Sequence, residues 1–196
     1  MVLGLAGGYC AGKDAVAAIL AERGFRLIDV DLVGHRVLRE AEPRSRVAAR
    51  FGAGVLGPDG EVDRKALGRR VFGDRRELAA LEAIVHPRMV ERVREELALA
   101  SGPVVLNAAL LFRMGLDRLC DAVLCVRAPW WVRLGRARRR DGLPPLPAMR
   151  RIASQRGICS RLGGPGVDIY YINNAGGVNA LRERTLRLLR EKRLER

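Results

Sequence analysis

The chain is short of lysine, histidine and aromatic residues. Lysine occurs only at Lys13, Lys65 and Lys192, although Lys and Arg together number 36, and histidine only at His35 and His86. Aromatic residues make up 5% of the chain, too few for the rows of stacking side chains that single-strand nucleic-acid binders use. The cysteines, Cys10, Cys120, Cys125 and Cys159, include no C-x-x-C pair. That spacing argues against a zinc site or a disulfide framework and for free thiols in a reducing compartment. No apolar run approaches the roughly 20 residues needed to cross a bilayer. The opening MVLGLAGG lacks the basic start and long apolar stretch of a secretory leader. No internal repeat or low-complexity linker is visible. A soluble, cytoplasmic protein without a membrane partner is expected.

What is present narrows the reading further. The 196 residues, 48% hydrophobic, suffice for one good core with small inserts. The net charge is +14, almost all of it from arginine. Such a charge suits a nucleic acid or a small polyanion such as a nucleotide. The arginines run through the whole chain instead of gathering in a tail or stripe, which disfavours a dedicated DNA binder.

Along the chain, short apolar runs alternate with helical patterns. VLGLA (2–6) reads as a buried parallel strand, and DAVAAILAERG as a helix closing at Gly24. FRLIDVD (25–31) reads as a second strand, with Asp31 at its end and Asp29 pointing to the same side. Residues 34–99 look helical, with breaks at Pro43, residues 57–60 (GPDG), residues 72–74 and Pro87. PVVLN begins a third strand at residue 103, and DAVLCVRA (121–128) and VDIYYINN (167–174) are two more. Two short helices are predicted over WWVRLGRARRRDGL and PAMRRIASQRG, and an amphipathic helix follows the glycines at 176–177. Strands alternating with helices imply an α/β fold with a parallel sheet covered on both faces. A connection as long as 34–99 exceeds an ordinary crossover, so it is expected to be an inserted substrate domain. The expected division is a core of residues 1–33, 100–128 and 162–196, a helical insert at 34–99 and a small lid at 129–161.

The stretch GGYCAGKD (7–14) lies between the first strand and the first helix. Gly7, four residues, then Gly12 and Lys13 give the spacing of a phosphate-binding loop, in the strand–loop–helix context such a loop requires. Glycines let successive amides point inward at phosphate oxygens, and the helix N-terminus adds its positive end. Gly8, Tyr9, Cys10, Ala11, Gly12, Lys13, Asp14 and Ala15 are therefore candidate nucleotide-binding residues. Lys13 would reach the β- and γ-phosphates of ATP. The usual hydroxyl residue after the lysine is replaced by Asp14, whose carboxylate is a hard oxygen ligand that Mg²⁺ accepts. An Asp in the first turn of a helix is also favoured by capping and dipole alone.

Taken together, GLAGGYCAGKD, LIDVDLVGHRVL, DRKALGRRVFGD, LEAIVHPRM, ALLF, RRRDGL and RRIASQ resemble the dephospho-CoA kinase family, from residue 2 to about residue 180. The resemblance implies a three-layer P-loop NTPase fold of the nucleoside monophosphate kinase type, with a parallel sheet, a helical substrate insert and a small helical lid. It implies phosphoryl transfer from ATP, with Mg²⁺, to the ribose 3′-hydroxyl of dephospho-CoA, the last step of CoA synthesis. Asp31 then corresponds to the residue that accepts or orients the proton of the attacking hydroxyl. Arg140 corresponds to a lid arginine that stabilises the charge on the transferring group, with Arg136 one turn earlier. Arg151 and Gln155 match the lid pattern. His35 and His86 are candidate substrate contacts, and Asn174 falls where the family contacts the adenine region. A small-molecule substrate, no nucleic acid and a monomer or weak homo-oligomer are expected.

The chain departs from the family pattern at four places. Asp14 and Ala15 stand for two hydroxyl residues, Asn107 for a frequent Asp, Ala109 for a Pro and Arg113 for a Glu. A carboxylate has thus arisen at position 14 and one has gone at 107, which suggests a relocated metal ligand. Two alternatives share the fold: a kinase of another small hydroxyl substrate, and a degenerate nucleotide-binding protein without turnover. A basic nucleotide-binding module acting on nucleic acid has only the net charge behind it.

Overall fold

A computed structural model of the chain describes residues 1–155, 157–159 and 167–194. The boundary expected at residues 161–162 lies outside them. The chain divides into two compact units, Met1–Asp29 with Ala100–Arg196, and Val30–Leu99.

The first unit is built on five parallel strands, β1 (Val2–Gly7), β2 (Arg26–Asp29), β3 (Val104–Asn107), β4 (Ala122–Arg127) and β5 (Asp168–Asn173), in the order β2-β3-β1-β4-β5. Helices cover both sides of this α/β sheet. β1 reads as a continuous apolar run because it is the central strand and is buried on both faces. Leu3 and Leu5 pack with Val105, Leu124 and Val126 under α1 (Lys13–Glu22) and α8 (Val178–Glu191). Those helices present Val16, Ile19 and Leu20, and Leu181 and Leu189, at helical spacing. On the opposite face the chain crosses so near β1 that a Cβ on Gly4 would lie 2.7 Å from Leu111 Cδ2. The register aligns the strand ends that matter for chemistry: Asn107 of β3 stands beside Leu5 of β1 and Asp29 of β2.

Two further helices, α6 (Trp130–Asp141) and α7 (Pro145–Ser154), follow β4 and pack on each other. α6 stops at Gly142, which takes a left-handed conformation (φ 63°). α7 starts on a proline, where the missing N–H costs no helical hydrogen bond.

The second unit is helical: α2 (Val30–Val37), α3 (Ala41–Phe51), α4 (Arg64–Val71) and α5 (Arg75–Ala98). α2, α3 and α4 each pack on α5. Asp63 and Asp74 cap α4 and α5, each accepting two backbone N–H bonds from the first turn of its helix. Glu40 accepts from Arg88 Nε at 2.6 Å and Arg92 Nε at 2.7 Å, binding the start of α3 to α5. Hydrogen bonding by Arg92, opposed by burial and reinforced by a smaller contribution from Arg88, holds the Glu40 carboxyl below the ordinary range. A lowered carboxyl stabilises the folded state above the unfolded pKa, and that contribution is lost as pH falls through the lowered value.

Three sequence expectations are corrected here. The second strand ends at Asp29, not Asp31, because β3 offers no partner past Asn107. Beyond that point Val30, Val33 and Val37 are buried at helical spacing, so the chain turns into α2 with Asp31 in its first turn. Pro43 does not break a helix but lies in the first turn of α3, where an absent N–H is tolerated. Pro87 lies inside α5, which runs unbroken past it. Burial of Ile84, Val85, Met89 and Val93 outweighs the roughly 3 kcal/mol that an internal proline costs.

Candidate active site

The loop between β1 and α1 has the geometry of an anion cradle. Ala11 N–H donates to Gly8 O at 2.9 Å, closing a tight turn. Gly12 precedes α1 with φ 100°, a conformation that favours glycine. Cys10 is also left-handed, with φ 57°, an uncommon state for a residue bearing a Cβ. Among the described residues no side chain caps α1, and the first amides of a helix have no acceptor within it. They converge with the helix dipole where a phosphate would sit.

Lys13 rises from the first residue of α1 toward the ends of the strands. Its Nζ donates to Asn107 Oδ1 and lies 3.4 Å from Asp14 Oδ1. The Lys13 side chain is 12% exposed, Asn107 is 3% exposed, and the Asp14 side chain is 75% exposed. The buried amide thus orients the ammonium from below, and the carboxylate meets it from the solvent side. Among the described residues no group of three or more His, Cys, Asp or Glu could cage a metal. Mg²⁺ seldom uses such a cage; it takes one or two carboxylates and completes its shell with phosphates and water. The single exposed carboxylate of Asp14 fits that mode.

The face of α6 carrying Arg133, Arg136 and Arg140 meets the loop. Arg133 Nε donates to Tyr9 O at 2.7 Å. Its NH2 stands 2.7 Å from where a Cβ on Gly8 would be, and is buried without a hydrogen-bond partner among the described residues. Burial pushes the Arg133 pKa down. An orphaned guanidinium nitrogen against the loop is the feature that best fits a phosphate ligand here. Arg136 donates to Ala11 O at 3.3 Å, Asn174 O at 3.2 Å, Asn174 Oδ1 at 3.1 Å and Gly176 O at 3.2 Å. A cavity of about 340 Å³ opens beside the loop, lined among others by Gly8, Ala11, Arg127, Arg133 and Gln155.

Arg140 grips its neighbour: Nε donates to Asp141 Oδ1 at 2.8 Å and NH2 to Oδ2 at 3.2 Å. Hydrogen bonds from Arg140 and then Tyr9 hold the Asp141 carboxyl down at about 2. The Arg140 guanidinium lies 5.3 Å from the Tyr9 ring centre. Tyr9 N–H donates to Gln155 Oε1, at the end of α7.

The loop candidates from Gly8 to Ala15, with Lys13, Arg140 and Asn174, all belong to the first unit. Asn174 lies under the loop: its Nδ2 donates to Ala11 O at 2.9 Å and its N–H to Arg127 O at 2.7 Å. A Cβ on Gly12 would come within 2.1 Å of that Nδ2. The Asn174 side chain thus helps to shape the loop. Asp31, His35 and His86 belong to the second unit. Asp31 and His35 are exposed and one turn apart on α2, whereas His86 is half-buried on α5. His35 lines a cavity of about 510 Å³ with Arg39, Asp59, Glu61 and Arg64. Arg133 is not among the residues singled out from the sequence, although the spacings of three residues to Arg136 and four more to Arg140 place all three on one helix face.

A parallel sheet of this order, a glycine-rich loop feeding a helix, a lysine at its head and arginines descending from a separate helix pair define a P-loop kinase. The family profile described as dephospho-CoA kinase matches residues 1–178. The dephospho-CoA kinase of Anaeromyxobacter dehalogenans is 39% identical over 197 residues, covering 98% of this chain and 92% of its own length. A solved protein from Thermus thermophilus is 30% identical, with a TM-score of 0.79 and coverage of 98% of this chain and 97% of that one. The dephospho-CoA kinase of Campylobacter jejuni shares the fold, with a TM-score of 0.70 at 23% identity over 97% of this chain and 96% of its own. The chain belongs to the dephospho-CoA kinase family, and is a phosphotransferase enzyme.

Proposed function

We propose that the protein transfers the γ-phosphoryl group of ATP to the ribose 3′-hydroxyl of dephospho-CoA, giving CoA and ADP. The observation that carries this reading is the convergence of Lys13 and the buried Arg133 NH2, unpartnered among the described residues, on the loop between β1 and α1, within a chain of this family. The loop amides and Lys13 hold the β- and γ-phosphates, and Arg133 adds a guanidinium from the lid side. Arg140 stabilises the charge that spreads over the transferring group. Asp31 orients the attacking hydroxyl and takes its proton. Helices α2–α5, with His35 and His86 as contacts, hold dephospho-CoA, and α6 and α7 act as the lid. Asp14 would hold Mg²⁺, which when bound neutralises β- and γ-phosphate charge. We read the +14 charge as serving these polyanionic small molecules, and the protein as a cytoplasmic monomer or weak homo-oligomer.

The reading is tested by coupled ADP release with Mg²⁺, ATP and a panel of hydroxyl acceptors. Dephospho-CoA is expected to exceed nucleosides and sugar acids in kcat/KM by at least about 10³, since a site built for a large polar substrate leaves its groups unpaired with a small one. Equal rates across the panel would reject the assignment, and nucleotide binding with no turnover would favour the degenerate alternative.

The pair at positions 14 and 107 yields a second expectation. Asp14→Ser removes the carboxylate and should weaken MgATP binding about tenfold, roughly 1.4 kcal/mol. Asn107→Asp restores a carboxylate beside Lys13 and should recover most of that loss when combined with it. Titration calorimetry on the four proteins of the cycle measures the coupling; strict additivity would show that the two positions do not share a metal.

A further inference from the structure

We propose that Tyr9 is a positioning residue for phosphoryl transfer, holding the lid arginine Arg140 in place through the carboxylate of Asp141. The inference rests on the kinase reading above and deepens it.

A phosphate loop has little use for a phenol, since its amides do the binding. Here the Tyr9 side chain is directed to the lid. Its hydroxyl donates to Asp141 Oδ2, the same oxygen that accepts from Arg140 NH2 at 3.2 Å. The other Asp141 oxygen accepts from Arg140 Nε at 2.8 Å. The Tyr9 ring lies 5.3 Å from the guanidinium carbon of Arg140 and 5.3 Å from that of Arg151, so two cations lie against one aromatic ring. The backbone of the same residue engages the lid as well: its N–H donates to Gln155 Oε1 and its carbonyl accepts from Arg133 Nε at 2.7 Å. Five lid residues on α6 and α7 or at their ends are thus tied to one loop residue.

The arrangement solves a placement problem. Arg140 sits in the last turn of α6 on a long, half-exposed side chain. Asp141 is its neighbour in sequence, so their ion pair fixes the guanidinium relative to α6 but not relative to the phosphates. The hydroxyl of Tyr9 connects that ion pair to the loop, whose backbone is set by β1 and Gly12. The chain of contacts runs from loop to phenol, from phenol to carboxylate and from carboxylate to guanidinium. The charge states suit it: the Asp141 carboxyl is held at about 2, and burial followed by the Asp141 hydrogen bond raises the Tyr9 phenol above its ordinary value. At neutral pH the phenol is a donor and the carboxylate an acceptor.

Steady-state ADP release with MgATP and dephospho-CoA is measured for wild type, Tyr9→Phe, Asp141→Asn, the double variant and each in an Arg140→Ala background. Tyr9→Phe is expected to lower kcat about tenfold with KM for ATP within about twofold. The double variant should lose no more than the weaker of the two single variants, and Tyr9→Phe should have no effect once Arg140 is gone. Independently of turnover, hydrogen exchange in the last turn of α6 should be at least about fivefold faster in Tyr9→Phe. A wild-type kcat for Tyr9→Phe, an equal loss with and without Arg140, or unchanged exchange overturns the proposal. Absence of ADP release from the wild-type protein would instead reject the kinase reading, and the exchange measurement would still decide the role of Tyr9.

Discussion

Lys13→Ala is expected to lower kcat/KM about a thousandfold, roughly 4 kcal/mol of transition-state stabilisation, the scale of a preorganised charge in a site screened from water. The lysine side chain is only 12% exposed and already oriented by Asn107, so little reorganisation precedes its interaction with the phosphates. The same substitution leaves the Asn107 amide oxygen, in a residue 3% exposed, without its Lys13 donor. A stability loss of about 1–3 kcal/mol accompanies the catalytic one. Lys13→Arg is expected to rescue the charge but not the rate, because a planar fork replaces a compact ammonium where space is limited. Coupled ADP release gives the rate and thermal unfolding gives the stability. A rate within tenfold of wild type for Lys13→Ala would show that the loop does not hold the reacting phosphates.

How much of this was readable beforehand depends on whether the determinants were local. The phosphate loop was legible because its signal sits in eight consecutive residues between a strand and a helix. The parallel sheet was legible because VLGLA, PVVLN and DAVLCVRA are short apolar runs buried on both faces. The length of β2 was not legible: it is set by β3, a strand some 75 residues further along, which offers pairing only as far as Asn107. Without that partner Val30-Asp31 takes the helical option that the spacing of Val30, Val33 and Val37 also allows. Pro87 misled for a similar reason, since the packing that overrides it comes from other helices. Arg133 was hidden in an arginine-rich background, and only burial against Gly8 distinguishes it. Asn174 looked like a ligand for adenine because its neighbourhood in the family pattern suggested one. Its side-chain amide also donates to Ala11 O of the loop, a contact that only the tertiary structure reveals.

Asp29 and Asp31, around the end of β2, offer a test that separates chemistry from capping. Asp29 is the last residue of β2 and immediately precedes α2, the position whose side chain most often caps a helix. Asp31 lies in the first turn of α2 and is exposed, where the helix dipole favours its charge by about 0.3–1 kcal/mol. If Asp31 takes the proton of the attacking hydroxyl, Asp31→Asn lowers kcat by about 10²–10⁴ while leaving the melting temperature nearly unchanged. Asparagine keeps the size and can still orient a hydroxyl, but it cannot accept the proton. For Asp29 the pattern reverses. Asp29→Asn is nearly silent, because asparagine caps as well as aspartate, whereas Asp29→Ala costs about 1 kcal/mol of stability with only a minor change in rate. Measuring kcat and thermal unfolding on the three variants places each residue on one axis or the other. A fast Asp31→Asn beside a slow Asp29→Asn would move the proton acceptor to the strand, and equal small effects at both would leave the lid arginines and Lys13 to provide the catalysis by charge alone.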